Sequence, residues 1–225
     1  MKIISIDDRL KDVASLVNNC NCVADVGTDH GYLALYLVQN KICNTAYATD
    51  VAVGPLNSAI ENIKKYQLED KIKTILCDGL KKVNNDVNGI VIAGMGGNLM
   101  VDILKNRNYD YDFYVLQPNL HHYALRKYLV ENNFKIVDEK ISFAHKKYYE
   151  IIKVVHGNQS LNENQLTFGP INLINRSELF INKWIEVKEK IERVLIDFKG
   201  SDEEKNRLLK EINTINEVIN GTITN

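Results

Sequence analysis

Five apolar runs in this chain end in residues that can bind a ligand or take part in a reaction. The first is Val23-Ala24-Asp25-Val26, followed by Gly27-Thr28-Asp29-His30-Gly31-Tyr32 and a helix-like pattern. This is the signature of a strand, a ligand-sized turn and a helix. Gly27 and Gly31 let the backbone approach a ligand closely, and amides at the start of the following helix can face a carboxylate or phosphate. A dinucleotide site would want Gly-x-Gly-x-x-Gly, but the middle glycine position is Asp29. A carboxylate there repels a pyrophosphate and suits an ammonium or sulfonium group. The turn therefore points away from nicotinamide and flavin cofactors and toward S-adenosylmethionine.

The other four run ends fit that reading. Asp50, 25 residues after Asp25, closes a second run and is placed to accept from both ribose hydroxyls. Asp78-Gly79 closes a third and can accept from an adenine amino group. Each acid alone is an ordinary cap or turn residue; their succession at three strand ends is what suggests a cofactor site. Ala93-Gly94-Met95-Gly96-Gly97 closes a fourth, with Met95 as pocket lining, and Gln117-Pro118-Asn119 a fifth.

The elements that must position these turns alternate. A short amphipathic helix over residues 6–17, capped by Asp7 or Asp8, precedes strands at 22–26, 46–51, 72–77, 89–93 and 113–116, with helices between them. The fifth strand stops at Pro118, which cannot donate to a ladder. Two further runs, 134–142 and 148–155, have no helix between them and form an antiparallel hairpin. The result is an α/β, Rossmann-like parallel sheet, in which ligands bind at the carboxyl ends of the strands.

Gly169-Pro170 marks a boundary between a cofactor-binding catalytic unit, residues 1–168, and a C-terminal unit, residues 169–225. In the second, Phe180, Trp184, Val187, Ile191, Val194 and Phe198 form a seam at intervals of four and three. Leu208, Ile212, Ile215 and Ile219 continue it after Gly200 and the capping pair Ser201 and Glu204. This is an α-helical coiled-coil hairpin, either a dimerisation or packing element or an arm for a large substrate. Removing residues 171–225 is expected to spare cofactor binding.

Composition sets the outer bounds. With 225 residues, 45% hydrophobic and 25% charged, the chain can bury a full core. No secretory pattern and no membrane-length apolar run is present, so the expected setting is cytoplasmic with no membrane partner. Cys20, Cys22, Cys43 and Cys77 lack zinc spacing, which makes them buried thiols and leaves no metal site. A net charge of -1 excludes a uniformly basic nucleic-acid binder but allows a local basic face.

Asp25-Val-Gly-Thr-Asp-His-Gly-Tyr-Leu, Ala93-Gly-Met-Gly-Gly97, Leu116-Gln-Pro-Asn119 and Tyr148-Tyr-Glu150 together resemble the bacterial tRNA (adenine-22 N1)-methyltransferase family over nearly the whole chain. The resemblance implies a seven-stranded class I methyltransferase sheet that uses S-adenosylmethionine to methylate N1 of an adenine in tRNA. Gly31 and Ala34 stand where alanine and proline are frequent in the family, and Asp50 where glutamate is common; size or charge is kept. The cofactor set this implies is Asp25, Gly27, Thr28, Gly31, Asp50, Val51, Asp78, Gly79, Ala93, Gly94, Met95 and Gly96. The other enzyme reading is a class I methyltransferase for a small molecule or protein, and a non-catalytic cofactor- or RNA-binding module is a third.

Adenine N1 is already a nucleophile, so alignment matters more than base catalysis. A carboxylate beside the exocyclic amine would stabilise the charge that develops on the ring. Asp29 is the candidate, open between catalysis and cofactor binding, with His30 as a second proton acceptor. The turn after the fourth strand lacks a side-chain donor apart from Asn98, so Gln117, Pro118, Asn119, Tyr148 and Tyr149 are the candidates for gripping the base, the tyrosines alternatively being half-buried strand residues. The cations expected to meet tRNA are Arg9 and Lys11, Arg126 and Lys127, and Lys146 and Lys147. Oligomeric state is not fixed by any of these residues.

Overall fold

The computed structural model describes residues 3–222; residues 1–2 and 223–225, at the outer ends of the two expected units, lie outside the described residues. Asp7 caps α1 (Asp8–Ser15), its carboxylate accepting from the Leu10 amide at 2.8 Å. Then β1 (Cys20–Val26), α2 (Tyr32–Gln39), β2 (Cys43–Asp50), α3 (Val53–Lys65) and β3 (Ile72–Leu76) build one half of the sheet. The other half is β4 (Gly89–Met95), α4 (Gly97–Lys105), β5 (Phe113–Pro118), α5 (His122–Glu131), β6 (Phe134–Ala144) and β7 (Lys147–His156).

The seven strands lie in the order β3-β2-β1-β4-β5-β7-β6. The first five are mutually parallel, and β7 runs antiparallel to both β5 and β6. Order therefore reverses between β1 and β4, where a cleft must open at the carboxyl ends of the strands. Val23, Val91, Val115 and Leu35 lie in the apolar layer on one face of the sheet, and Ala24, Ile92, Leu116 and Leu125 in the layer on the other. Covered on both faces, these strands read as continuous apolar runs without alternation. Among the described residues no helix is long and apolar enough to cross a membrane.

Beyond the sheet come α6 (Glu163–Phe168), α7 (Pro170–Asn175), α8 (Glu178–Ile196) and α9 (Asp202–Asn220). The two short helices were not apparent in the sequence because six residues carry too little periodicity. The signal that could have found α6 is the reciprocal cap between Asn162 and Gln165. α8 and α9 form the hairpin, with Ser201 and Glu204 capping α9 as their spacing implies. Its base is welded to β6 by Ile141, Phe168, Phe180, Trp184, Ile215 and Val218. Toward the tip the seam opens, and Val194 is 58% exposed.

The weld also contains charge, which overturns one expectation. Arg126 was placed among the cations that meet tRNA, yet its side chain is wholly buried, forming ion pairs with Glu139 and Glu150. Glu150 in turn holds Lys183 of α8. The second oxygen of Glu139 accepts from the amides of Ile171 and Asn172 at 2.9 and 3.3 Å, and Arg126 also donates to the Leu166 and Thr167 carbonyls. On a helix, a basic residue looks the same in sequence whether it faces solvent or acids brought in by distant strands; here the acids win. Burial alone would raise the Glu150 carboxyl, but Lys183 and Arg126 outweigh it and hold the group well below the usual carboxylate range. Two cations and two anions balance inside the protein, spanning α5, β6, β7 and α8.

That balance bears on the arm. Removing residues 171–225 would take Lys183 and two amide donors from buried carboxylates, so the cut would destabilise the sheet edge as well as remove the arm. Arg126→Met, similar in length and uncharged, is expected to lower folding stability by about 3–5 kcal/mol because two buried carboxylates lose their shared partner. Urea unfolding followed by far-UV circular dichroism checks this, and a midpoint equal to that of the parent protein would contradict it.

Candidate active site

At the carboxyl end of β1 the chain turns through Gly27, Asp29 and Gly31, all with positive φ (73°, 53° and 73°). Glycine takes this conformation freely and Asp tolerates it better than most residues. The turn is stapled on three sides. The amides of Gly27 and Thr28 donate to the Thr49 carbonyl at 2.8 and 2.9 Å, the Thr28 hydroxyl donates to Asp25 at 2.6 Å, and the Asp29 amide donates to the Asp50 carboxylate at 3.3 Å. The other Asp50 oxygen accepts from the Ala52 amide at 2.9 Å. The acid that ends β2 thus positions the acid that follows β1.

Facing this turn, the end of β4 is laced to the end of β5. The Asn119 amide donates to the Met95 carbonyl at 2.7 Å, the Gly97 amide to the Leu120 carbonyl at 2.8 Å, and the Asn119 side chain to the Gly94 carbonyl at 2.7 Å. Gly97 is required here, since a Cβ would sit 2.6 Å from the His121 carbonyl oxygen. Gln117 is fully buried with all its hydrogen-bonding capacity engaged. Its oxygen accepts from Arg9 at 2.6 Å and the Gly94 amide at 3.1 Å, and its nitrogen donates to the Pro118 carbonyl and Asn119 at 3.0 and 3.1 Å. No donor or acceptor is left for a base, so Gln117 organises the site rather than reading substrate. Asn119 is exposed and keeps one N–H and one lone pair.

Between these walls lies a cleft of about 430 Å³, lined by Arg9, Asp25, Gly27, Thr28, Asp29, His30, Ala93, Gly94 and Met95. Met95 lies across Gly27; a Cβ on Gly27 would meet its methyl group at 2.0 Å. Asp7, Leu10, Tyr32 and Leu33 also line the cleft, although sequence gave them only capping and packing roles. Arg9 sits 5.5 Å from the Tyr149 ring centroid, so Tyr149 joins this side through a cation–π contact. Tyr148, one residue earlier on β7, points to the hairpin core instead.

Asp78, Gly79, Pro118, Val51 and Gly96 do not line the cleft, and Gly31 and Asp50 support its turn from behind without lining it. Asp78 and Gly79 line a separate recess of about 170 Å³ with Leu99 and Ile103, and the Asp78 carboxylate pairs with Lys81 at 2.5 Å. Pro118 is buried at the end of β5. Val51 is 69% exposed beside Asp50, and Gly96 caps α4.

Electrostatically the cleft suits a ligand with both signs of charge. Asp7, Asp25 and Asp29 can face a cation, and the Arg9 guanidinium can face a carboxylate. Asp29 Oδ2 lies 3.5 Å from His30 Nε2, both side chains being well exposed, and the His30 ring stacks on Tyr32 at 5.4 Å. Asp25 is the perturbed acid: burial, reinforced by Asp50 and only partly offset by Thr28 and the Ala34 amide, pushes its carboxyl up to about 6.

A family model described as a methyltransferase domain matches residues 6–152. The tRNA (adenine(22)-N(1))-methyltransferase of Bacillus subtilis is 30% identical, over 94% of both chains. This chain belongs to the tRNA (adenine(22)-N(1))-methyltransferase family. Family structures superpose over its full architecture, hairpin included. Streptococcus pneumoniae Sp1610, solved in complex with S-adenosyl-L-methionine, is 35% identical with a TM-score of 0.88, covering 96% of this chain and all of that one. M. capricolum TrmK, solved with S-adenosyl-homocysteine, is 31% identical with a TM-score of 0.85, covering 96% and 98%. This chain thus has the class I methyltransferase fold, followed by the C-terminal helical hairpin of α8 and α9.

The raised Asp25 carboxyl gives a pH dependence. An ionised Asp25 favours a cationic ligand, so affinity is full above about pH 7 and falls as Asp25 protonates through about 6. S-adenosylmethionine is expected to bind about tenfold more weakly at pH 5 than at pH 7.5, as read by calorimetry. Asp25→Asn should bind more weakly at pH 7.5 and lose most of this dependence.

Proposed function

We propose that this chain transfers a methyl group from S-adenosylmethionine to N1 of adenine-22 in tRNA, as a cytoplasmic enzyme. The observation that carries the reading is the carboxylate-walled cleft at the point where strand order reverses, in a chain similar to this family from end to end. S-adenosylmethionine, when bound, supplies an electrophilic methyl group on a sulfonium sulfur. The residues present fit it. Gly27 and Gly94 give close backbone approach, Asp50 is held at the end of β2 for hydroxyl donors, and the acids and Arg9 match the cationic and anionic ends of the cofactor.

The protein's part in the chemistry is alignment and charge placement. The adenine N1 lone pair forms the new N–CH3 bond as the S–CH3 bond breaks, and positive charge passes to the ring. Asp29, exposed at the mouth of the cleft, accepts from the exocyclic amine, whose N–H becomes more acidic as this charge develops; the interaction is therefore stronger in the transition state than before it. His30, 3.5 Å from that carboxylate, can take up a proton once transfer is complete. Asn119, with its free N–H, and Tyr149, beneath Arg9, contact the base from the β5 side. Gln117 and the lacing of β4 to β5 keep that wall fixed.

Transfer of labelled methyl to an unmodified tRNA transcript, with the product mapped by a reverse-transcription stop, is expected to place the mark at position 22. Label in a protein or small molecule but none in RNA would favour the other enzyme readings. Within the reaction, Asp29→Asn should lower the single-turnover rate by about a hundredfold while leaving cofactor affinity within about threefold; equal losses in both would make Asp29 a cofactor ligand. Asp50→Ala should weaken cofactor binding by at least about tenfold, because it removes the ribose acceptor and loosens the Asp29 turn together.

A further inference from the structure

Outside the cleft, four lysines border a groove of about 340 Å³ between the β6–β7 turn and α8. Lys146 and Lys147 form one wall, Lys183 and Lys190 the other, and Glu186 is the single acid among its lining residues. Lys183 is consumed by Glu150, and Lys190 pairs with Glu186 at 2.6 Å on the helix surface. Lys146 and Lys147 are exposed, and neither is in an ion pair among the described residues. His145 and Lys146 both have positive φ (50° and 60°), so the turn holds a conformation that costs non-glycine residues some strain, and the two lysines that follow His145 line the groove.

The groove is tied to the cleft. His145 Nε2 meets Asp7 Oδ2 at 3.1 Å, and Asp7 lines the cleft. β7 then alternates between the two: Tyr149 lies against Arg9 and Tyr148 lines the groove. A chain of negative charges leaving the cleft past Tyr149 meets unpaired lysines immediately beyond the turn. The buried Glu150–Lys183 pair anchors α8 to β7 beside the groove. Loosely paired lysines along a polar groove suit repeated phosphates, which they can neutralise with release of counterions.

We propose that this groove carries the sugar-phosphate backbone of the RNA substrate beside the methylated nucleotide, gripped by Lys146, Lys147 and Lys190. The proposal rests on the tRNA methyltransferase reading, and the two can fail separately. Binding of an unmodified tRNA transcript is measured across a KCl series for the full-length protein and for Lys146→Asn/Lys147→Gln, in which asparagine suits the left-handed turn. The double variant is expected to bind about tenfold more weakly at 0.1 M salt and to lower the slope of log affinity against log salt by about 1.5, with S-adenosylmethionine affinity unchanged. Lys190→Gln, on the other wall and remote from the turn, should shift the slope in the same direction. An unchanged slope in both variants overturns the groove assignment while the parent protein still methylates tRNA. Competition by polyglutamate as effective as that by tRNA overturns the assignment to RNA. A parent protein that transfers no methyl to tRNA overturns the functional reading on which both depend.

Discussion

The site depends on a turn that must be left-handed at three of five consecutive positions. Gly27, Asp29 and Gly31 reverse the chain between β1 and α2 so tightly that Gly27, Thr28, Asp29 and His30 all line the same cleft. Two glycines take this conformation without strain, whereas the aspartate is held in it by neighbours. Thr49 supplies a carbonyl to two amides, Asp50 a carboxylate to a third, and Thr28 bonds back to Asp25. Thr49 and Asp50 come from β2, so the turn keeps its shape only while β1 and β2 stay paired in register. Strand pairing at the centre of the sheet thus sets the position of a side chain at its edge.

Charge organises the rest of the molecule in two contrasting ways. Three carboxylates, Asp7, Asp25 and Asp29, line the cleft, and burial raises one of them, Asp25, to about 6. Such a site is poised for a cation, because a positive ligand compensates a carboxylate that burial has stripped of water. At the root of the hairpin the opposite holds: Arg126 and Lys183 match Glu139 and Glu150 with little solvent access. A buried quartet of this kind adds little net stability over an apolar core, but removing one member is costly. What it fixes is placement, since hydrogen-bonded ions tolerate only one arrangement of α5, β6, β7 and α8. The cleft and the arm are therefore held at one spacing.

The alternation of strands and helices, the antiparallel final pair and the helical hairpin were all legible in sequence. Parallel strands buried on both faces, prolines at run ends and a four-and-three seam each have a local cause. The cofactor turn was legible for the same reason, because Asp29 and its flanking glycines act on their own backbone. Asp78, which follows the third strand as Asp25 and Asp50 close the first two, lies in a neighbouring recess paired to Lys81, an arrangement that strand-end position alone does not specify. The short helices α6 and α7 were missed because their stability comes from the hairpin root and not from periodicity.

The sequence by itself therefore determined the class of fold, the order of its elements and the chemistry of the first turn, since each follows from residues within one or two helical turns of one another. Only the tertiary structure decided which polar side chains act on a ligand and which on the protein. Gln117 and Arg126 are the clearest cases, one saturated by Arg9, Gly94, Pro118 and Asn119, the other by acids from two strands. Arg9 moved the other way, from a surface cation to a wall of the cleft. The physical reason is common to all three: the fate of a charge or an amide is set by the partners that remain after burial, and those partners come from segments far away in the chain.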